Sequence, residues 1–216
     1  MKYHVVTPSN RPQNIELMAE MLKSKNVEWH VITDEKSERT FTFNAEYKWI
    51  HHYKCPEHPT LNMNKVWERC YWAINWFLET QHIEDEEMYC FLADDDAIEP
   101  EYFNKITAAM EKENWGWSSA LGSMERGHNI PSTADITQAY ETTKLWAIPE
   151  NLKLCLVAQE QIVSKGWIIK KHRFTYEHWG DGQFILDIIN NHGVLLVPGA
   201  NVWFNYFEPG RWNIDN

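Results

Sequence analysis

The chain has 216 residues, 44% of them hydrophobic and 12 of them tryptophan, which is enough apolar surface for one sizeable core and excludes a disordered chain. A net charge of -11 excludes a broad nucleic-acid face, because phosphate affinity comes from clustered Lys and Arg, and leaves at most a local basic groove around residues 165–173. Cysteines at 55, 70, 90 and 155 show no paired metal spacing. Cys70 and Cys90 fall in apolar patterns that predict buried thiols, and no run is long enough to span a membrane, so a cytoplasmic protein is expected.

Residues 3–7 read as a strand, 8–12 as a turn and 14–25 as a helix with Ile15, Met18 and Leu22 on one side. Residues 28–33 form a second strand ending at Asp34. A right-handed crossover makes these two strands parallel and brings the turn at 7–11 and Asp34 to one edge of the sheet. In WIHHYKCPEHP (49–59), His51, His52, Cys55 and His58 invite a metal reading. Neighbouring His on a strand point to opposite faces, however, and no second ligand cluster follows, so a zinc site is disfavoured.

The strongest helical pattern runs from 61 to 79, where Val66, Trp67, Cys70, Tyr71, Ile74, Phe77 and Leu78 form an apolar stripe. Its first turn, with Asn62, Asn64 and Lys65, offers polar groups and free backbone N–H groups to a phosphate or sugar. In YCFLADDDAIEPEYF (89–103), a β-prone run then stops at Asp94, Asp95 and Asp96 before a helix over 100–113. Three adjacent carboxylates repel one another and are stabilised by water or by a hard cation. The end of a buried strand is where open α/β sheets bind ligands. Taken alone, the triplet also fits a solvated turn before a helix.

Residues 115–121 read as a strand, 122–150 as a long loop and 152–164 as an apolar strand. Residues 166–179 are aromatic and basic. Residues 181–192 read as a helix closed by Gly193, and 194–197 and 201–206 as strands. Several tryptophans of this half fit a core, and Trp179 is the best candidate to stack on an acceptor. The predicted fold class is α/β, a Rossmann-like mixed sheet flanked by helices in a single domain, with a first half, residues 1–113, that holds the acidic triplet and a second half over 114–216.

The opening HVVTPSNRPQNIELMAEMLKSKNVEWHVITD resembles the start of the family 43 glycosyltransferases, the β-1,3-glucuronyltransferase group. FLADDDAIEPEYF resembles that family's ADDD motif, a form of the DXD signature of GT-A glycosyltransferases. WGDGQFIL resembles its glycine and acid segment, and NVWFNYFEPGRW its closing motif, with Phe204 in place of a His. The similarities keep the family's order over nearly the whole chain.

The resemblance implies a metal-dependent, inverting transfer from a nucleotide sugar, foremost a UDP-sugar, to an acceptor hydroxyl on a glycan, a small molecule or a modified nucleic-acid base. It places Mn²⁺ or Mg²⁺ on Asp96, the ribose on Asp94, and the donor sugar or the metal on Asp95. Thr7, Pro8, Arg11 and Asp34 form the nucleotide pocket, Asn64 and Lys65 stand where the family has an Arg-Asn pair, and Asp181 matches its catalytic Glu. Asn205 or Arg211 could substitute for the missing His. Asp181 also fits a plain first-turn acid on the following helix. The competing readings are a metal-dependent nucleotidyl or phosphoryl transferase and an inactive sugar-nucleotide-binding module. The former would normally have a Gly-rich or Walker-type loop, which the sequence lacks.

Overall fold

A computed structural model describes residues 1–23, 26–34, 47–125, 144–154 and 156–204. Eight strands run in the order β3 (Ile50–Cys55), β2 (Val27–Asp34), β1 (Tyr3–Pro8), β4 (Met88–Phe91), β8 (Ile162–Lys165), β6 (Ser119–Glu125), β9 (Leu195–Trp203), β5 (Ala97–Ile98), and β7 (Lys144–Leu145) pairs with β6. β1, β2, β3 and β4 are parallel neighbours. β8 then runs antiparallel to both β4 and β6, so the sheet is mixed.

Within the parallel half β1, β2 and β4 are buried on both faces, as central parallel strands require, while the edge strand β3 is only partly covered. Consecutive residues point to opposite sides: Val5, Val31 and Cys90 enter one core, and Val6, Ile32 and Phe91 the other. The first core is covered by α1 (Ile15–Leu22) and α3 (Tyr102–Lys112) through Met18, Leu22, Tyr102 and Ile106. The second is covered by α2 (Val66–Thr80), the short α4 (Gly166–Ile169) and α5 (Gly180–His192) through Ile74, Phe77, Ile168, Phe184 and Ile185. Each such side chain, fully buried, contributes about 1.5–3 kcal/mol.

Several elements differ from the sequence expectation. The long helix begins at Val66, not at 61, so Asn64 and Lys65 precede its first turn. The backbone N–H of Asn64 donates to Asn62 Oδ1 (3.1 Å), a side-chain turn that competes with helix formation. Val66 leaves the predicted stripe and is 47% exposed, while Asn75, buried on the same helix, brackets Phe174 with two 2.9 Å hydrogen bonds. The apolar run 152–164 is a strand only at its end. The 3₁₀ turn Gln159–Gln161 precedes that strand, and a second 3₁₀ turn, Pro149–Asn151, lies just before the run.

The strand expected over 115–121 begins at Ser119 and continues to Glu125, into the predicted loop. The two last strands are one, β9, whose pairing with β6 slips between Gly122 and Ser123. Ser123 occupies the slip, its hydroxyl donating to Pro198 O and accepting from the Ala147 N–H. Gly193 ends α5 at φ 71°, a conformation that favours glycine. The remainder of the long loop (126–143), Cys155 and the closing motif from Asn205 onward, including Arg211, lie outside the described residues.

Candidate active site

The carboxyl ends of β1, β2 and β4 lie side by side, with Pro8 opposite Ile32 and Val6 opposite Phe91. The ladder runs one step further, through Ser9 N–H to Ile32 O (2.8 Å) and Leu92 N–H to Val6 O (3.0 Å). The turn after β1, Asp34 and the three aspartates therefore meet at one edge.

Asp94 is 3% exposed and binds the turn after β1. Its Oδ2 accepts from the Ser9 hydroxyl (2.9 Å) and from the backbone N–H groups of Asn10 and Arg11 (both 3.0 Å). Its Oδ1 receives the Arg11 guanidinium, and its carbonyl accepts from Asn14 Nδ2 (2.8 Å). These bonds occupy the carboxylate that was expected to meet a ribose. Arg11 also reaches Asp95 Oδ2 at 3.2 Å. Thr7 is fully buried and its Oγ1 accepts from the Trp29 indole (2.9 Å), so its side chain belongs to the core and not to the pocket wall.

Beside this turn an open cleft of about 340 Å³, including the solvent at its mouth, is walled by Pro8, Arg11, Asp34, Val66 and Arg69. Asp34 Oδ1 is buried there without a hydrogen bond, and Oδ2 lies 3.6 Å from Arg69 Nε. A buried acceptor in this state is costly and favours a ligand N–H or O–H. Asn64 and Lys65 are exposed, and Lys65 Nζ pairs with Glu68 at 2.7 Å.

Asp96 is fully buried, and its carboxyl is hydrogen-bonded to that of Glu160, which is 5% exposed in the 3₁₀ turn before β8. Burial foremost, and then the charge of Asp181, push the Glu160 carboxyl up to about 7. Asp181 stands in the first turn of α5. Burial raises its pKa, while hydrogen bonds from the Gly182 N–H (2.7 Å) and the Tyr71 hydroxyl oppose that rise. Its α5 start is held close to the loop before it: a Cβ on Gly180 would stand 2.1 Å from Thr175 O and 3.0 Å from Tyr71.

Sequence reasoning missed Glu160, Arg69 and the polar role of Tyr71. A charged residue inside the apolar run LVAQEQIV was the available signal for the first. Tyr71 was hidden because its ring does join the core stripe while its hydroxyl turns to Asp181.

Trp179 is 46% exposed at the start of α5, next to His178, whose ring meets Trp67 edge-on at 5.1 Å. The histidines of the segment 49–59 do not converge. His51 bonds Glu28, His52 bonds Thr33, and His58 packs on Trp72. The basic stretch is no open groove either, because Lys165, Lys170 and Arg173 pair with Glu86, Asp85 and Glu79. No helix among the described residues is long and apolar enough to cross a membrane.

No family model matches the chain, and no curated protein matches it. Among solved structures it resembles residues 1–349 of TarS from S. aureus, with TM-score 0.61 and 18% identity over 94% of this chain and 60% of that one. A second TarS structure aligns with TM-score 0.58 and 16% identity, over 94% and 36%. The chain thus spans less than two thirds of either. CMP:2-keto-3-deoxy-manno-octonic acid synthetase complexed with CTP overlaps more loosely, at TM-score 0.46 and 9% identity over 94% and 89%. The mixed sheet flanked by helices in a single domain is a GT-A-type, glycosyltransferase-like fold.

Proposed function

We propose that the protein is a metal-dependent inverting glycosyltransferase that moves a sugar from a nucleotide sugar, foremost a UDP-sugar, to an acceptor hydroxyl. The observation that carries this reading is the contact of buried Asp96 with the Glu160 carboxyl, which also feels the charge of Asp181. The ordered motifs that resemble those of family 43 support the donor class, and the fold supports a nucleotide-derived donor.

Asp34, with its vacant buried oxygen, fits the imide N–H of a uracil, and Pro8 and Arg11 complete that wall. Asp94 holds the turn in place, and Asp95 stands beside the donor. Asn64 and Lys65 approach the cleft from the turn before α2. The buried carboxylate of Asp96 fits a hard divalent cation, Mn²⁺ or Mg²⁺. Such an ion, when bound, neutralises the charge that develops on the leaving diphosphate.

Asp181 takes the proton of the acceptor hydroxyl, and the raised basicity conferred by burial suits it to that role. Displacement from the face opposite the diphosphate inverts the anomeric centre. Trp179 offers its exposed indole to the acceptor.

The test is titration of UDP-sugars with and without Mn²⁺, followed by an assay of products with candidate acceptors. Metal-dependent binding and release of UDP are expected. Metal-independent binding, or none, removes the reading; release of pyrophosphate indicates a nucleotidyl transferase, and binding without turnover a sugar-nucleotide-binding module. Asp181→Asn should abolish turnover and leave UDP binding intact, and an active Asp181→Asn protein would remove Asp181 as the base.

A further inference from the structure

Glu160 is the residue of this region that no motif anticipates. It sits in the 3₁₀ turn Gln159–Gln161, which the antiparallel pairing of β8 with β4 returns beside the end of β4, where the aspartates begin. Its carboxyl meets that of Asp96, and its Oε2 is buried with no N–H or O–H donor upon it. An anionic oxygen desolvated in this way is destabilising unless something positive answers it.

Among the described residues no group of three or more acidic, His or Cys side chains is arranged to hold a metal. Two carboxylates nevertheless suffice for the cations that act on nucleotides. Mg²⁺ in such sites is bound by one or two protein carboxylates, the remaining positions going to water and substrate phosphate. Asp96 and Glu160, facing one another at the strand edge, are such a pair. Asp181 acts on Glu160 only through its charge and is held by Tyr71 and Gly182, so it remains apart from the pair.

We propose that Glu160 is a second protein ligand, with Asp96, of the divalent cation that receives the donor diphosphate. This inference rests on the glycosyltransferase reading for the existence of the ion. It assigns to this chain a ligand pair drawn from the loop after β4 and the 3₁₀ turn before β8, where the triplet by itself offers ligands from one loop.

The competing role is purely supportive, with Glu160 fixing the orientation of Asp96 through their hydrogen bond. Glu160→Gln separates the two. Glutamine keeps the shape and can still donate to Asp96, but it presents no anionic oxygen. Binding of Mn²⁺ alone to the purified chain is measured by the loss of the free-ion electron paramagnetic resonance signal, with Asp96→Asn as comparison and the thermal midpoint of each variant recorded.

Glu160→Gln should weaken Mn²⁺ binding by about tenfold or more, as Asp96→Asn does, with no fall in thermal midpoint. An affinity within about twofold of the wild type, beside a weakened Asp96→Asn, overturns the role of Glu160 and leaves the metal reading standing. If the wild type binds neither Mn²⁺ nor Mg²⁺ and turns over UDP-sugar in chelator, both readings fall. Should Glu160→Gln not fold, Glu160→Asp is read in its place. That variant keeps the charge with a shorter reach, and wild-type Mn²⁺ affinity in it overturns the proposal.

Discussion

Arg11 holds Asp94 twice, its backbone N–H 3.0 Å from Oδ2 and its guanidinium on Oδ1. The first aspartate of the triplet is thereby tied to the turn that follows the first strand, 83 residues away. Ser9 and Asn10 bind the same carboxylate, so the loop wall of the cleft is built around a single buried anion. Asp94→Ala leaves three N–H or O–H donors and a guanidinium unanswered. A loss of about 3 kcal/mol is expected in urea denaturation. Asp94→Asn, which can still accept through its amide oxygen, should lose less.

Tyr71 tunes Asp181. Its hydroxyl bonds the carboxylate and lowers the pKa that burial has raised. Tyr71→Phe removes that bond, so Asp181 should hold its proton to higher pH. If ionised Asp181 is the base, the acid limb of kcat/KM moves upward in pH while the alkaline plateau is retained. A pH–rate profile for wild type and Tyr71→Phe with one UDP-sugar checks it, and an unshifted limb would separate Asp181 from the proton transfer.

Gly180 decides where α5 begins. A methyl group there would meet the Thr175 carbonyl at 2.1 Å, a backbone atom that cannot rotate away. Gly180→Ala should cost about 2 kcal/mol or more of stability, because overpacked backbone must move. Turnover should fall more than UDP binding, since the displaced residue next in the chain is Asp181. Thermal melting and UDP titration of the variant measure the two effects separately.

At the other end of the parallel strands lies a buried column of imidazoles. His4 Nδ1 and His30 Nε2 are 2.8 Å apart, with His4 bonded to Glu87 and His30 to Tyr53. Burial, with the charge of His4 next, lowers His30 from 6.5 to about 3, and burial also lowers His4. Below pH 6.5 the unfolded chain takes protons that the folded chain refuses, so this contribution to stability is complete above that pH and declines as pH falls toward 3. Between pH 7 and 5 His30 alone should cost about 2 kcal/mol. Glu160 acts in the opposite sense, since its raised carboxyl favours the folded state below 4.5 and loses that contribution as pH rises through 7. The measurement is therefore the difference in thermal midpoint between wild type and His30→Asn at each pH, which should narrow on acidification.

Much of the framework was legible along the chain. Runs such as Tyr3–Pro8 and Met88–Phe91 are apolar on both faces, which calls for a sheet covered on both sides, and the βαβ start requires parallel strands. The position of Asp94, Asp95 and Asp96 at a strand end followed from the same local pattern. The start of α2 was less legible, because the turn made by Asn62 and Asn64 competes with a helix whose apolar spacing already looks complete at 61.

What the sequence by itself determined is the alternation of buried strands and helices, and with it the edge at which the acids gather, since both depend on residues near one another in the chain. Only the tertiary structure decided what each acid does. Asp94 became the anchor of a loop because the turn at 9–11 closes on it, and Asp96 acquired Glu160 because β8 returns antiparallel beside β4. Desolvation and carboxylate pairing depend on which side chains share a low-dielectric space. That is settled by strand order and register, which local residue patterns do not encode.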